Sequence, residues 1–551
     1  MLKKATIIMI MFVLMSVGQS FAQAPDTLDV PSSDSEGAVG ALPRFILGDT
    51  TATGERNNIN RVYRLKRGEI YLVNGKTFVE FPLTLIADDD DTKQPPVIAP
   101  FPLDDGSIPR VTFYCYEDAY FKNIYFLGMA PNGERNPWDR PLILGGTDTK
   151  MTLEGCICDA YTAAGIANIG ENTSLYAKDC LWRNINDVGQ FDGQFFFNYG
   201  SAMDTISVVN CTLFNGSSYF LCNAKQYANY VRFEHNTLFI NNINPFYTPY
   251  LSNADIKNNI FFSPASVGET EEERNDGWYD WDGERMAVFS IDTIPSDMAT
   301  NHSISEANRK INFVNNAYFW PQKIKDYWAG NDSLSAPVWM NDRTKSMFDD
   351  DTNYPYLVEE NNVEADPGFN ADVMKQIDSL LVFIKALREE GTTHPYFYNP
   401  SGAAVFPGRW PIPEDLSYTN TALLTAGTDG LPLGDLNWFP DKKDIFDTKV
   451  EPEESNVMPK EFTLTQNYPN PFNPETKISF SLKKSSYVTL EVFNMLGQKV
   501  KTLVDKQKPA GFYRVSWDGT NEQGLKMSSG IYYYTIKVGS VAESKKMMLL
   551  K

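Results

Sequence analysis

The chain has 551 residues, 42% hydrophobic and 22% charged, which is enough apolar sequence for several folded units and excludes a wholly disordered chain. Its formal charge of −21 excludes nucleic acid as a partner, because binding phosphates needs a cationic footprint. The three scattered histidines, His235, His302 and His394, exclude a histidine-rich zinc site. The charge is uneven: residues 461–551 carry 13 Lys and Arg against 7 Asp and Glu, a net of +6, which leaves −27 on the preceding 460 residues. A break of that size near residue 460 predicts two separately evolved parts.

The N-terminus reads as an export signal over residues 1–22. Lys3 and Lys4 precede the apolar run from Ala5 to Val17, and the small residues around Ala22 supply a cleavage site. The run is shorter than the roughly 18–20 residues that a membrane span needs, and no later uncharged segment reaches that length. The mature chain is therefore expected to carry no transmembrane span. An N-terminal segment, 23–54, leads into the first apolar runs, Val62-Tyr63, Ile70 to Val73, Leu83 to Ile86 and Val97-Ile98.

From about residue 55 to residue 345 the sequence repeats. Seven stretches align on Asn123, Cys156, Cys180, Cys211, Asn236, Asn259 and Asn316. Three residues before each anchor stand Tyr120, Leu153, Ala177, Val208, Phe233, Ile256 and Phe313. Two residues after it stand Tyr125, Cys158, Trp182, Leu213, Leu238, Phe261 and Tyr318. Apolar columns flanking a small polar anchor predict stacked coils of short parallel strands, about 4.7–4.9 Å apart, with like residues over like. Asparagine suits the bend because its amide satisfies backbone groups and also bonds the next Asn in the column.

This pattern resembles the right-handed parallel β-helix, the solenoid of pectate lyases and many bacterial surface proteins. The rival, a propeller or sandwich of antiparallel strands, calls for hairpin turns at short regular intervals. All six cysteines fall between Cys115 and Cys222. In an exported chain they are open to disulfides, but three of them occupy the anchor column, which favours buried free thiols.

Residues 346–440 are expected to cap the solenoid. Val373, Ile377, Leu380, Leu381, Ile384 and Leu387 recur at helical spacing and predict one amphipathic helix over 371–390. A charged linker, 441–460, follows.

The last part, 461–551, alternates in short strands punctuated by Gly and Pro, about seven strands over some 90 residues, which predicts a small β-sandwich. It opens on Asn467, Tyr468, Pro469, Asn470, Pro471, Phe472, Asn473 and Pro474. It continues through Asn494, Gly497, Trp517, Asp518 and Gly519 to Ser529, Gly530, Tyr532 and Tyr533, and ends on Lys546 to Lys551. This order of motifs resembles the type A C-terminal sorting domain of the type IX secretion system, which is similar in turn to the immunoglobulin-like fold of flagellar hook-capping proteins. The resemblance implies an address: the type IX machinery as partner, passage across the outer membrane, and a cell-surface or extracellular destination.

Chemistry is less legible. Outward positions of the repeat pair opposite charges on neighbouring coils, Glu154 with Lys178, Arg232 with Asp255 and Glu234 with Lys257, and such pairs stabilise a sheet surface by roughly 0.2–1 kcal/mol each. Arg232 and Lys257 are also the candidate catalytic groups if the solenoid is a polysaccharide lyase or glycoside hydrolase, since a lyase needs a cationic base beside a neutralised uronate. The insertion from Glu271 to Glu284 supplies glycan-binding candidates in Trp278, Tyr279 and Trp281, and candidate calcium ligands in Asp276, Asp280 and Asp282. The reading that follows is an all-β, exported surface protein that binds glycan or is structural, with the lyase or hydrolase as the alternative.

Overall fold

The computed structural model describes residues 26–33, 39–90, 92–186, 192–275, 283–392, 402, 404–448, 463–464, 467, 470, 472, 476–482, 486–508, 511–522, 525–538 and 541–550. The expected signal peptide, His394 and most of the expected linker lie outside these residues.

Three parallel sheets form the first part. The first has eleven strands, the second ten and the third seven, and the chain visits them in rotation. Val62–Leu65, Ile70–Val73 and Thr77–Val79 make the first complete coil. The coils then repeat with first-sheet strands at Leu83–Ala87, Ala119–Lys122, Lys150–Glu154, Thr173–Lys178, Met203–Val209, Ala228–Glu234, Leu251–Lys257, Lys310–Val314 and Leu357–Glu360, numbered here as coils two to ten. This is a parallel β-helix. Its sheets reach from Thr27–Asp29, which pairs with the first coil, to Val363–Glu364, a wider span than the repeat alone marks. The gap between Asn259 and Asn316 is an insertion rather than a missing coil, since Leu251–Lys257 pairs directly with Lys310–Val314.

The anchor column forms, with one correction. The register aligns Glu154 with Lys122 and Ile157 with Tyr125, so Cys156 faces Ile124 rather than Asn123. Cys156, Cys180, Cys211, Asn236, Asn259 and Asn316 do stack, and Asn362 continues the column. Asn123 belongs one position earlier, with Gly155, Asp179, Asn210, His235, Asn258, Asn315 and Asn361. All of these have φ between 51° and 62°, the left-handed bend that Asn, Asp and Gly tolerate. The slip also turns Tyr120 outward and puts Phe121 in the core.

The asparagines of the inner column form a ladder. The Asn259 amide donates to Phe233 O at 2.9 Å and to Asn316 Oδ1 at 2.9 Å, while its oxygen accepts from Asn236 N at 2.8 Å and Asn236 Nδ2 at 3.1 Å. Where cysteines replace asparagine, Cys180 N donates to Cys211 Sγ at 3.3 Å. All six cysteines are buried free thiols.

The outer face of the second sheet is covered by the chain itself. Phe214, Phe239 and Phe262 stack there at 4.9 and 5.0 Å, nearly parallel, and Phe369 meets Phe239 and Phe262 edge-on. The expected helix appears as Ala371–Met374, Gln376–Lys385 and a wider last turn, Ala386–Glu390, ended by Gly391 at φ 64°. It buries Val373, Ile377, Leu380, Phe383 and Ile384. A strap, 404–439, then runs along the second sheet. The first residues of the expected linker are not a linker: Pro440–Thr448 is a helix whose Lys443 bridges Asp179 at 3.1 Å.

The C-terminal module is a sandwich of antiparallel sheets. One has Thr463–Leu464, Thr476–Leu482 and Gly511–Trp517, and the other has Lys499–Lys508, Ser486–Asn494, Gly530–Val538 and Val541–Leu549. Its separate core includes Phe472, Ile478, Trp517, Tyr534 and Met547.

Candidate functional site

The outer face of the first sheet is a lattice of mutually engaged polar groups. Lys257 reaches Glu234 at 3.1 Å, as the spacing predicts. Arg232 stands opposite Asp255 in the register, but its guanidinium grips Glu234 of its own strand at 2.6 Å. Asp255 accepts from Tyr230 OH at 2.8 Å and Asn312 Nδ2 at 2.7 Å. The expected Glu154–Lys178 pair does not form. Glu154 pairs backward with Lys122 at 3.2 Å, and Lys178 turns to Asp447 of the 440–448 helix at 2.8 Å. The reason is that the helix brings Asp447 over the strand, which no reading of the repeat anticipates. Between helix and sheet lies a groove of about 340 Å³, lined by Tyr176, Lys178, Ser207, Arg232, Phe446 and Asp447. Both candidate catalytic cations thus converge on one carboxylate, Glu234, itself 1% exposed.

The acidic insertion resolves differently. Glu271–Asn275 is a short helix. Its first turn is a capping box, with Thr270 N donating to Glu273 Oε2 at 2.8 Å and Glu273 N to Thr270 Oγ1 at 3.1 Å. Glu273 also pairs with Arg388 at 2.7 Å, and Glu284 with Arg343 at 3.7 Å. Asp276, Trp278, Tyr279, Asp280, Trp281 and Asp282 lie outside the described residues. Among the described residues, no cluster of three or more His, Cys, Asp or Glu is arranged to hold a metal, and no helix is long and apolar enough to cross a membrane.

Sequence reasoning missed a buried ionic site where the strap crosses the second sheet. Arg183 donates to Asp159 at 2.6 Å and, through two nitrogens, to Glu414 at 2.6 and 2.9 Å, and Tyr125 OH donates to Asp159 at 2.6 Å. All four side chains are buried. Burial pushes the Tyr125 phenol well above its ordinary range. Outward Arg183 and Asp159 in adjacent coils were a signal, but Glu414 is 231 residues from Arg183.

Further along, Asp435 is buried against Thr212 Oγ1 at 2.6 Å and Asn437 N at 2.9 Å. Burial pushes its carboxyl up to about 7, and that of Asp139 up to about 8. Each therefore binds a proton in the fold that it releases when unfolded above the ordinary carboxylate range. Their contribution is full below about pH 4 and is lost as pH rises through about 7 to 8. The solenoid should melt at a lower temperature at pH 8 than at pH 5.5, and Asp435→Asn should narrow that difference. An unchanged difference in the variant, measured by calorimetry at both pH values, contradicts the assignment.

In the C-terminal module the opening and closing motif blocks form one hydrogen-bonded unit. Phe472 N donates to Met548 O at 3.0 Å, Leu550 N to Phe472 O at 2.8 Å, and Met548 N to Asn470 Oδ1 at 2.8 Å, while Asn470 Nδ2 reaches Lys546 O at 3.4 Å. Trp517 lies between Phe472 and Tyr532, its indole nitrogen donating to Thr520 O at 2.8 Å. Asp518 accepts from Thr520 and Lys501, hydrogen bonds that pull its carboxyl down to about 2. Gly497 and Gly519 sit at φ 74° and 68° in tight turns. Gly530 opens the Gly530–Val538 strand. Pro469, Pro471, Asn473, Pro474 and Lys551 lie outside the described residues.

Residues 467–541 match the FlgD Ig-like domain family. A search of curated proteins finds no match. Among solved structures, dimeric latent PorU from Porphyromonas gingivalis is 20% identical over 16% of this chain and 9% of that one, with a TM-score of 0.15. PorZ, an essential surface component of the type IX secretion system of the same organism, is 14% identical over 23% of this chain and 14% of that one, with a TM-score of 0.13. The chain spans only a small fraction of either protein, and overlaps of that extent carry no argument about this one.

Proposed function

We propose that this chain is a cell-surface or secreted parallel β-helix, exported by the type IX secretion system through its C-terminal module, and that the solenoid binds glycan rather than cleaving it. The observation that carries the address is the union of Asn470 and Phe472 with Lys546 to Leu550: the two ends of the motif meet in one hydrogen-bonded unit of an Ig-like module. The match of 467–541 to the FlgD Ig-like family supports it independently. Against catalysis stands the first-sheet face, where Arg232 and Lys257 both engage Glu234 instead of a groove with an unengaged base. Deleting residues 461–551 should leave the solenoid in the periplasm of the native host, read by fractionation and surface labelling. Display of the deleted form at the full-length level defeats the address reading.

A further inference from the structure

The groove between the first sheet and the 440–448 helix has a floor that the repeat builds. In the register Thr152, Tyr176, Ser207 and Arg232 stand in one outward row across coils four to seven. At about 4.8 Å per coil the row is roughly 14 Å long. The helix forms one wall through Phe446 and Asp447. Tyr176 is 37% exposed, more than Tyr120 or Tyr230 on the same face, and its ring borders the open space of the groove. Thr152 and Ser207 flank it, and their hydroxyls have no hydrogen-bond partner among the described residues. The charges around the groove are balanced. Lys178 holds Asp447 at 2.8 Å, Arg232 holds Glu234 at 2.6 Å and Lys122 holds Glu154 at 3.2 Å. The floor strands are paired on both sides, so they offer side chains and no free backbone edge to a peptide strand.

We infer that this groove binds a neutral polysaccharide, with Tyr176 against a sugar ring and Thr152 and Ser207 bonded to sugar hydroxyls. The coil spacing is close to the repeat of linked pyranose rings, so a glycan laid along the axis meets the row in step. An aromatic ring with a few placed polar groups around it is what fixes such a ligand. A sugar hydroxyl donates and accepts at once, so it joins the Lys178–Asp447 pair without breaking it. An acidic sugar must instead draw Lys178 or Arg232 from its carboxylate. Glu234 is 1% exposed, and losing part of its counter-charge there is costly. This inference rests on the glycan-binding reading above and names its site and ligand class.

Affinity electrophoresis of the full chain in gels containing hydroxyethylcellulose, galactomannan, dextran or alginate tests it. At least one of the three neutral polymers should retard wild type, alginate should retard it less, and added salt should leave the neutral retention unchanged. Tyr176→Ala should weaken that retention at least about tenfold. Thr152→Val with Ser207→Ala should weaken it at least about fivefold. All three side chains point outward, so the melting temperature should hold in both variants. Retention by alginate equal to or above that by the strongest neutral polymer overturns the neutral class. Retention of wild type and both variants alike overturns this groove as the site and leaves the glycan reading standing. No retention of wild type in any of the four gels overturns both.

Discussion

Arg183→Met should destabilise the solenoid more than any surface change, by about 3–5 kcal/mol, because it leaves Asp159 and Glu414 buried together without their counter-charge. Arg183 is 1% exposed, so no solvent enters to compensate. The effect should concentrate on the strap, whose only described carboxylate grip on the second sheet at that height is Glu414. Limited proteolysis should therefore cut 404–416 faster in the variant, and urea unfolding should show the loss of stability. Replacing Asp159, Arg183 and Glu414 together with apolar residues should recover much of it, since a buried ionic cluster gains little over good packing once no charge is orphaned. A single variant as stable as wild type contradicts the buried cluster.

Asn259→Ala should cost about 2–4 kcal/mol, because it leaves the Asn236 N–H and the Phe233 carbonyl buried without partners and removes a rung from the ladder. Asn259→Asp should fare no better, because a carboxylate there faces the Asn316 oxygen and the Phe233 carbonyl, both acceptors. Asn123→Gly is the control, because glycine keeps the left-handed φ of 56° at that position. That side chain hangs at the edge on Asp89 Oδ1 at 2.7 Å, is half-buried, and should cost about 1 kcal/mol. Equal losses at Asn259 and Asn123, measured by thermal unfolding, contradict the distinction between the two columns.

That distinction shows how far the sequence could be read. The ladder was legible because stacked identical residues leave a period, and six of the seven anchors stand where the period puts them. Asn123 misled because asparagine serves two neighbouring columns, one for its amide and one for its tolerance of positive φ, and residue identity alone does not separate them. The strap and the helix that follows it were illegible for a different reason. Their contacts, Arg183 with Glu414, Thr212 with Asp435 and Lys178 with Asp447, join residues more than 200 positions apart and follow no period. The module at 461–551 was legible through short-range turn chemistry, but the pairing of Asn470 with Met548 emerges only in three dimensions. On the first sheet, charge spacing predicted the Glu234–Lys257 pair and failed for Glu154, where a distant helix supplied a better partner for Lys178.

The strap also changes how the molecule comes apart. A bare stack of coils touches only nearest neighbours, so its ends peel one coil at a time at little cost. Here one segment holds the second coil through Gln94 and Pro407, the fifth through Glu414, the ninth through Ala426, the eighth through Thr428 and the sixth through Asp435. Beyond the first and last coils, peeling cannot proceed without loosening a tie shared with coils far along the axis. Partial openings are thereby raised toward the cost of opening everything, which starves a protease of the frayed intermediates it attacks. The lifetime of the folded solenoid is then governed by one slow, collective escape rather than by the weakest coil.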